Sequence, residues 1–268
     1  ALHDIDCVSV NTMGYFKNNC TELKFIKDWD ANDGIYIKKT QINNLNLLDI
    51  QYFCNIVSIN QNINVLPSNI KGLKDIYEHL PTLYKYATEC SCILECGVRE
   101  CISTWSFVKG LIDNNTIKKK LLVNDIEDCS NDNLFLIEHY CNKYNICFEK
   151  IWQNNLDLNT ESTEIDMVFI DTWHVYGQLK RELAKFSKIA TKYIILHDTH
   201  IDEFIGESIR CHLNIDEQMK TSGYSRWEIE NGLGLALKEF IETDDEWYVE
   251  KRFLNCNGLT ILKKKVSK

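Results

Sequence analysis

Between residues 92 and 198 five short apolar segments alternate with longer stretches of helical period, and this rhythm constrains the chain more than any other feature. The segments are "CILEC" (92–96), "KKLLVND" (119–125), "CFEKIW" (147–152), "DMVFID" (166–171) and "KYIILHD" (192–198). Apolar strands spaced by amphipathic helices bury both faces of a parallel sheet under helices. The intervening helices are "CISTWSFVKGLI", "NDNLFLIEHYCNKYN" and "VYGQLKRELAKFSKIA". A further helix precedes them at 69–89, where Pro81 should kink or restart it. After the helix "LALKEFIETD" the rhythm breaks. Two strands, "EWYVEKRFL" and "GLTILKKK", follow one another across the turn "NCNG" (255–258), which predicts an antiparallel hairpin closing the sheet.

Residues 1–69 are Asn-rich and weakly patterned, and are read as an N-terminal extension separate from a domain over 70–268. Within the extension "GIYIKK" (34–39) suits a short strand and "LLDIQYFCNIVSI" (47–59) has helix-like spacing. The N-terminal ten residues lack the basic start and apolar run of a secretory leader. No stretch approaches the roughly 20 apolar residues of a membrane span. With 12 cysteines, these features point to free thiols in a reducing, cytoplasmic setting. A net charge of −9 argues against a large nucleic-acid footprint. The oligomeric state is left open, with a homo-oligomer among the expectations.

Four cysteines fall within "ECSCILECGVREC" (89–101), which invites a zinc reading. Structural zinc sites use paired knuckles on turns, whereas these cysteines flank or lie in an apolar strand, where a free thiol serves as a small buried hydrophobe. The residues between them carry more meaning. In open α/β sheets ligands bind at the carboxyl ends of the strands. Glu95 closes the first strand, Gly97 permits a tight turn and close ligand approach, and Asp125 closes the second strand, where a carboxylate can accept both hydroxyls of a ribose.

The segment "ILECGVREC" resembles the first motif of class I S-adenosylmethionine-dependent methyltransferases, an acidic residue followed by a glycine-rich turn. Arg99 and Cys101 stand where that pattern places further glycines. The terminal helix and hairpin resemble the family's reversed last strand, and the resemblance covers about residues 71–265. It implies an α/β fold, a Rossmann-like doubly wound seven-stranded sheet, mostly parallel with a C-terminal antiparallel hairpin and helices on both faces. It implies S-adenosyl-L-methionine as cofactor, with Glu95, Cys96, Gly97, Ser103, Thr104, Asp125 and Asp171 as its candidate contacts.

The fourth and fifth strands carry the chemistry. "MVFID" ends in Asp171, His174 follows three residues later, and the next strand ends in "HDTH" with His197, Asp198 and His200. Two carboxylates at adjacent strand ends can hold a hard divalent cation. A nearby imidazole can take the proton of a substrate hydroxyl whose pKa the cation lowers. The pattern resembles a subgroup related to macrolide-sugar O-methyltransferases and cephalosporin-hydroxylase-like proteins. The resemblance implies Asp171 and Asp198 as ligands of Mg or Mn and His174 as general base, with Asp171 counted beside it in the catalytic pair. His197 is read as a third ligand, a group behind the ligands, or a structural residue.

The expected activity is a metal-assisted O-methyl transfer to a sugar or glycan hydroxyl. The alternatives are a phenolic small-molecule acceptor, a nicotinamide-dependent oxidoreductase, and a non-catalytic Rossmann-like module of a glycan-building protein. The polar segment 201–232 is expected to cover the site, with Trp173, Tyr224, Arg226 and Trp227 suited to stacking on sugar rings, or Trp227 to packing a small loop core.

Overall fold

The computed structural model describes residues 76–130, 132–159 and 164–265, together with the backbone of four short strands nearer the N-terminus. These four strands, β1 (Cys7–Val10), β2 (Tyr15–Asn18), β3 (Glu22–Phe25) and β4 (Tyr36–Ile37), form an antiparallel sheet in the order β3-β2-β1-β4. The strand expected in "GIYIKK" is therefore present as β4, and the other three had no clear alternation to announce them. The helix expected at 47–59 lies outside the described residues. The chain divides into compact units at Tyr77–Glu78, and the second unit carries everything that follows.

The boundary falls within a short 3-10 turn, Tyr77–His79, and helix α1 (Leu80–Ala87) follows it. Pro81 occupies the first turn of α1, where its missing N–H costs nothing, so it starts the helix and does not kink it. The remaining elements are β5 (Cys92–Cys96), α2 (Ile102–Asp113), β6 (Lys119–Asp125), α3 (Asp132–Lys143), β7 (Ile146–Trp152), β8 (Ile165–Ile170), α4 (Tyr176–Phe186) and β9 (Ala190–His197). Three short helices follow, α5 (Glu207–Arg210), α6 (Ile215–Ser222) and α7 (Arg226–Glu230). Helix α8 (Leu233–Thr243) then leads to the hairpin β10 (Trp247–Phe253) and β11 (Leu259–Lys264).

The seven strands run β10-β11-β9-β8-β5-β6-β7. Neighbours from β9 through β7 are parallel, and β11 pairs antiparallel with both β9 and β10. This is the mostly parallel sheet with a reversed C-terminal pair that the sequence implies. The period of β5 explains how both faces are covered. Cys92, Leu94 and Cys96 join a core with Leu179 and Leu183 of α4 and Leu233 and Ala236 of α8. The intervening Glu95 meets Ser103 of α2, and on the same face Phe107 of α2 packs against Phe169 of β8 at 5.3 Å. Cys90, Cys92, Cys96 and Cys101 are buried and unbridged, as expected of free thiols filling a central strand. Strand order reverses about β5, which puts at the carboxyl ends of β5 and its neighbours the switch point where open α/β sheets form a ligand crevice. Among the described residues no helix is long and apolar enough to cross a membrane.

Candidate functional site

The turn after β5 forms one side of the crevice. Gly97 has φ +87°, and a side chain there would have its Cβ 1.9 Å from the Asp171 carbonyl oxygen. Arg99 (φ 45°) and Cys101 (φ 64°) share this left-handed conformation. These are the positions at which the resembling motif carries further glycines. The backbone thus keeps the path of a glycine-rich turn while paying the strain of two side chains, roughly 1–2 kcal/mol each. Asp125 at the end of β6 fixes the turn, its Oδ2 accepting N–H bonds from Val98 at 2.9 Å and Arg99 at 3.1 Å. Burial would raise the Asp125 carboxyl, but these bonds outweigh it and hold it below its ordinary range. A ribose at Asp125 would share the carboxylate with the turn.

Glu95, Ser103 and Thr104 lie beneath the turn. They are 0%, 5% and 0% exposed, and the Ser103 hydroxyl donates to Glu95 Oε1. Burial pushes the Glu95 carboxyl up to about 8, against the opposing bonds from Ser103 and Thr104. The three residues brace the turn from inside and do not line an open surface. Cys96 is fully buried and contributes its carbonyl, which accepts the Asp171 N–H at 2.8 Å.

The second side of the crevice gathers Asp171 after β8, His174 before α4, and His197 and Asp198 at the end of β9. His174 is 4% exposed. Its Nε2 lies 3.1 Å from Asp171 Oδ1, and its Nδ1 lies 3.1 Å from Asp198 Oδ2, 3.3 Å from Asp202 Oδ2 and 3.5 Å from Glu207 Oε2. Burial opposes a charged His174 ring, yet the bonds from Asp171 and Asp202 and the charge of Asp198 raise it well above its ordinary value. Burial likewise opposes ionisation of Asp171, and the charges and bonds of His197 and His174 reverse this, holding its carboxyl far below the usual range. His197 is 1% exposed, with Nδ1 at 3.4 Å from Asp171 Oδ1 and 3.2 Å from Asp198 Oδ1. Asp198 reaches both histidines because its backbone turns out of the strand at φ 55°, a conformation that Asp tolerates better than most residues. His200 stands apart, half exposed and 3.8 Å from Glu203.

Two triads bring ligand atoms within 4.8 Å of one another, Asp171/His197/Asp198 and His174/Asp198/Asp202. Asp202, Glu207 and Arg210 were not legible as site residues. Asp202 is fully buried, bound by Arg210 through Nε at 2.5 Å and Nη2 at 2.8 Å, and reaches the cluster because its N–H caps the Asp198 carbonyl at 3.1 Å. Its four-residue spacing from Asp198 was the available signal. Glu207 and His174 exchange main-chain contacts: the His174 N–H donates to Glu207 Oε2 at 3.2 Å, and the Glu207 N–H to the His174 carbonyl at 2.9 Å. Behind the site, Glu182 Oε1 accepts from Thr172 Oγ1 at 2.6 Å, Asn155 Nδ2 at 2.5 Å and Gln178 Nε2 at 2.8 Å, tying the residue after Asp171 to α4.

The expected sugar-stacking residues are largely engaged with one another. Trp173 stacks on Tyr224 at 5.6 Å and 9°, the Arg181 guanidinium covers the Tyr224 ring at 4.1 Å, and Tyr224 packs with Val175, Ile215 and Ile229. The small core of the insertion is built on these residues and not on Trp227, which is 51% exposed and meets Tyr176 edge-on. Arg226 is held by Asp216 and Glu230.

The donor set fits a divalent cation. Oxygen and nitrogen atoms around one such ion at about 2.1 Å lie roughly 3 Å apart, close to the 3.4 and 3.2 Å that separate His197 Nδ1 from Asp171 Oδ1 and Asp198 Oδ1.

No protein-family model matches the chain, and a search of curated proteins finds no relative. Solved structures give distant likenesses. The O-methyltransferase TomG from Streptomyces achromogenes, in complex with SAM, is 9% identical over 81% of this chain and 90% of its own, with a TM-score of 0.48. An O-methyltransferase from Bacillus cereus in complex with SAH is 12% identical over 85% and 92%, at 0.44. The SAH-bound methyltransferase PaMTH1 from Podospora anserina is 13% identical over 82% and 88%, at 0.45. The fold of the present chain rests on its own strand order and on the reversal at β11.

Proposed function

We propose that the chain is an S-adenosylmethionine-dependent O-methyltransferase, assisted by a divalent cation, that acts on a sugar or glycan hydroxyl. One observation carries this reading: the left-handed turn at Gly97 packs directly on the backbone of Asp171, the corner of the carboxylate–imidazole cluster. A methyl donor seated on the turn lies beside a hydroxyl seated at the cluster. Gly97, the turn residues and Asp125 would hold the cofactor, with Glu95, Ser103 and Thr104 bracing them. Asp171, Asp198 and His197 would hold Mg or Mn, which when bound lowers the pKa of the hydroxyl and offsets the charge of the carboxylates.

His174 supplies the base. Without a cation the surrounding carboxylates favour its protonated ring. A cation held by Asp171 and Asp198 would offset their charge and free Nε2, while Nδ1, facing Asp198, Asp202 and Glu207, keeps its proton, so Nε2 is the atom that receives the hydroxyl proton. The oxygen forms its bond to the methyl carbon as the carbon–sulfur bond breaks, and S-adenosylhomocysteine leaves. The buried carboxylates then stabilise the imidazolium. Most of the acceleration comes from alignment of oxygen, carbon and sulfur. The free thiols and the acidic chain suit a reducing cytoplasm.

A phenolic acceptor is the second reading, favoured by apolar residues on the insertion that carries Glu207: Ile201, Phe204 and Ile205 are 41%, 80% and 54% exposed. Calorimetry with S-adenosylhomocysteine and with NAD tests the cofactor, and binding of NAD alone refutes the assignment. A methyl-transfer screen over free and linked sugars and over phenols, read by mass shift, separates the acceptors. His174→Asn is expected to lower kcat by about 10²–10⁴-fold with unchanged S-adenosylhomocysteine affinity.

A further inference from the structure

We propose that His197 completes the Asp171–Asp198 site through Nδ1, making it a mixed nitrogen–oxygen site that selects a first-row transition-metal ion over magnesium. The proposal rests on the metal-assisted reading above and specifies its ion.

The tautomer is set from behind the ring. His197 Nε2 lies 3.2 Å from the Cys256 carbonyl oxygen. A carbonyl only accepts, so Nε2 carries a hydrogen, and Nδ1 is the ring atom that faces the two carboxylates and would give its lone pair to a bound cation. Nδ1 meets Asp171 Oδ1 at 3.4 Å and Asp198 Oδ1 at 3.2 Å. Three donor atoms converging in a largely buried place suit a cation between them, whose charge would offset the two carboxylates.

The backing is rigid. His197 is the last residue of β9, in register with Leu259 of β11, and the turn that presents Cys256 is pinned by N–H bonds from His200 and Ile201 to the Asn257 carbonyl, each 2.9 Å. Gly258, at φ +102°, lies so near His200 that a Cβ would come within 2.5 Å of its backbone nitrogen. A ligating imidazole whose second nitrogen is bonded to a backbone carbonyl has its orientation fixed before the ion arrives. His79 packs edge-on behind the ring at 5.7 Å and bonds to Asn255, so it reinforces this wall.

Donor chemistry then selects the ion. Magnesium prefers an all-oxygen octahedron and dehydrates reluctantly. Imidazole favours manganese, iron, cobalt and zinc increasingly along the first row, and carboxylates keep manganese acceptable. Replacing one oxygen donor by Nδ1 therefore weakens magnesium relative to all of these.

The test uses the full chain, stripped of metal. Calorimetric titration with MnCl₂, CoCl₂ and MgCl₂ is expected to show manganese and cobalt bound at least about tenfold tighter than magnesium. Electron spin-echo spectroscopy of the manganese complex is expected to show coupling to one histidine nitrogen, which changes isotope on ¹⁵N-histidine labelling and requires no variant. That coupling is expected to vanish in His197→Gln and persist in His174→Ala. His197→Asp, an oxygen donor, is expected to retain binding and bring magnesium to within a few-fold of manganese.

Absence of nitrogen coupling in the unaltered chain, equal affinity for magnesium and manganese, or a coupling that follows His174 would each overturn the proposal and leave the metal-assisted reading in place. Failure of every divalent ion to bind would defeat both. A His197 that instead sits as an imidazolium paired to the two carboxylates would show itself in this last result.

Discussion

Alanine at Gly97 tests the contact between the cofactor turn and the chemical cluster. Two costs arise. The first is conformational: at φ +87° an L-residue pays roughly 1–2 kcal/mol. The second is steric. The new Cβ would stand 1.9 Å from the Asp171 carbonyl oxygen and 2.6 Å from its carbon, so about 1.1 Å of motion is needed to reach 3.0 Å. Neither partner yields easily, because the Asp171 N–H is bonded to Cys96 and the Gly97 N–H to Asn124. Overpacking of this kind costs about 1–3 kcal/mol. The total of roughly 2–5 kcal/mol corresponds to a fall in Tm of about 4–20 °C for a domain of this size.

Gly223 isolates the first cost, since it has φ +75° and nothing within 4 Å of its would-be Cβ. Gly223→Ala should lose only the conformational part, about 1–2 kcal/mol. Thermal unfolding of the two variants, followed by S-adenosylhomocysteine and MnCl₂ titration, checks the reasoning. Gly97→Ala should weaken both ligands together, because relief of the clash moves the turn and Asp171 apart. Equal destabilisation of the two variants, or unchanged affinity for both ligands in Gly97→Ala, would refute the claimed packing of turn on cluster.

Other expectations follow from the same geometry. Arg99→Gly should raise Tm by about 1–4 °C, since relief of a left-handed side chain exceeds the entropy cost of glycine by about 0.5–1 kcal/mol. Cys101→Gly should bring no such gain, because its fully buried thiol is lost from the core. Glu95 keeps its proton in the folded chain up to about pH 8, whereas its ordinary value is 4.5. Over that window the unfolded chain binds fewer protons, so stability falls as pH rises. Glu95→Gln should flatten this fall, measured as the difference between variant and parent in urea unfolding at pH 5 and pH 8. Asp198→Asn keeps a side chain that tolerates φ 55° but removes a charge from both triads. At a manganese concentration 100 times the parent's Kd, the parent should gain about 2.7 kcal/mol of stability, and the variant should gain much less.

Much of this was legible from the chain. The alternation of apolar strand and amphipathic helix determined the order of elements and the parallel sheet, because burial of both sheet faces permits few other arrangements. The two consecutive strands after the last helix determined the antiparallel close. Asp171, His174, His197 and Asp198 could be named because strand ends in such a sheet share one edge, so residues far apart in sequence become neighbours once the order is known.

Tertiary structure alone decided the rest. It carried Asp202 and Glu207 to His174 through the path of a turn and a short helix that have no period to read. It sent Glu95, Ser103 and Thr104 inward under the turn, because the side-chain alternation of β5 faces Glu95 to α2. It joined Trp173 to Tyr224, where isolated aromatic residues in a polar segment gave no partner. And it showed that Arg99 and Cys101 follow a glycine's backbone path. A sequence records which side chains are present, but the φ angles that the surrounding packing imposes on them exist only in the fold.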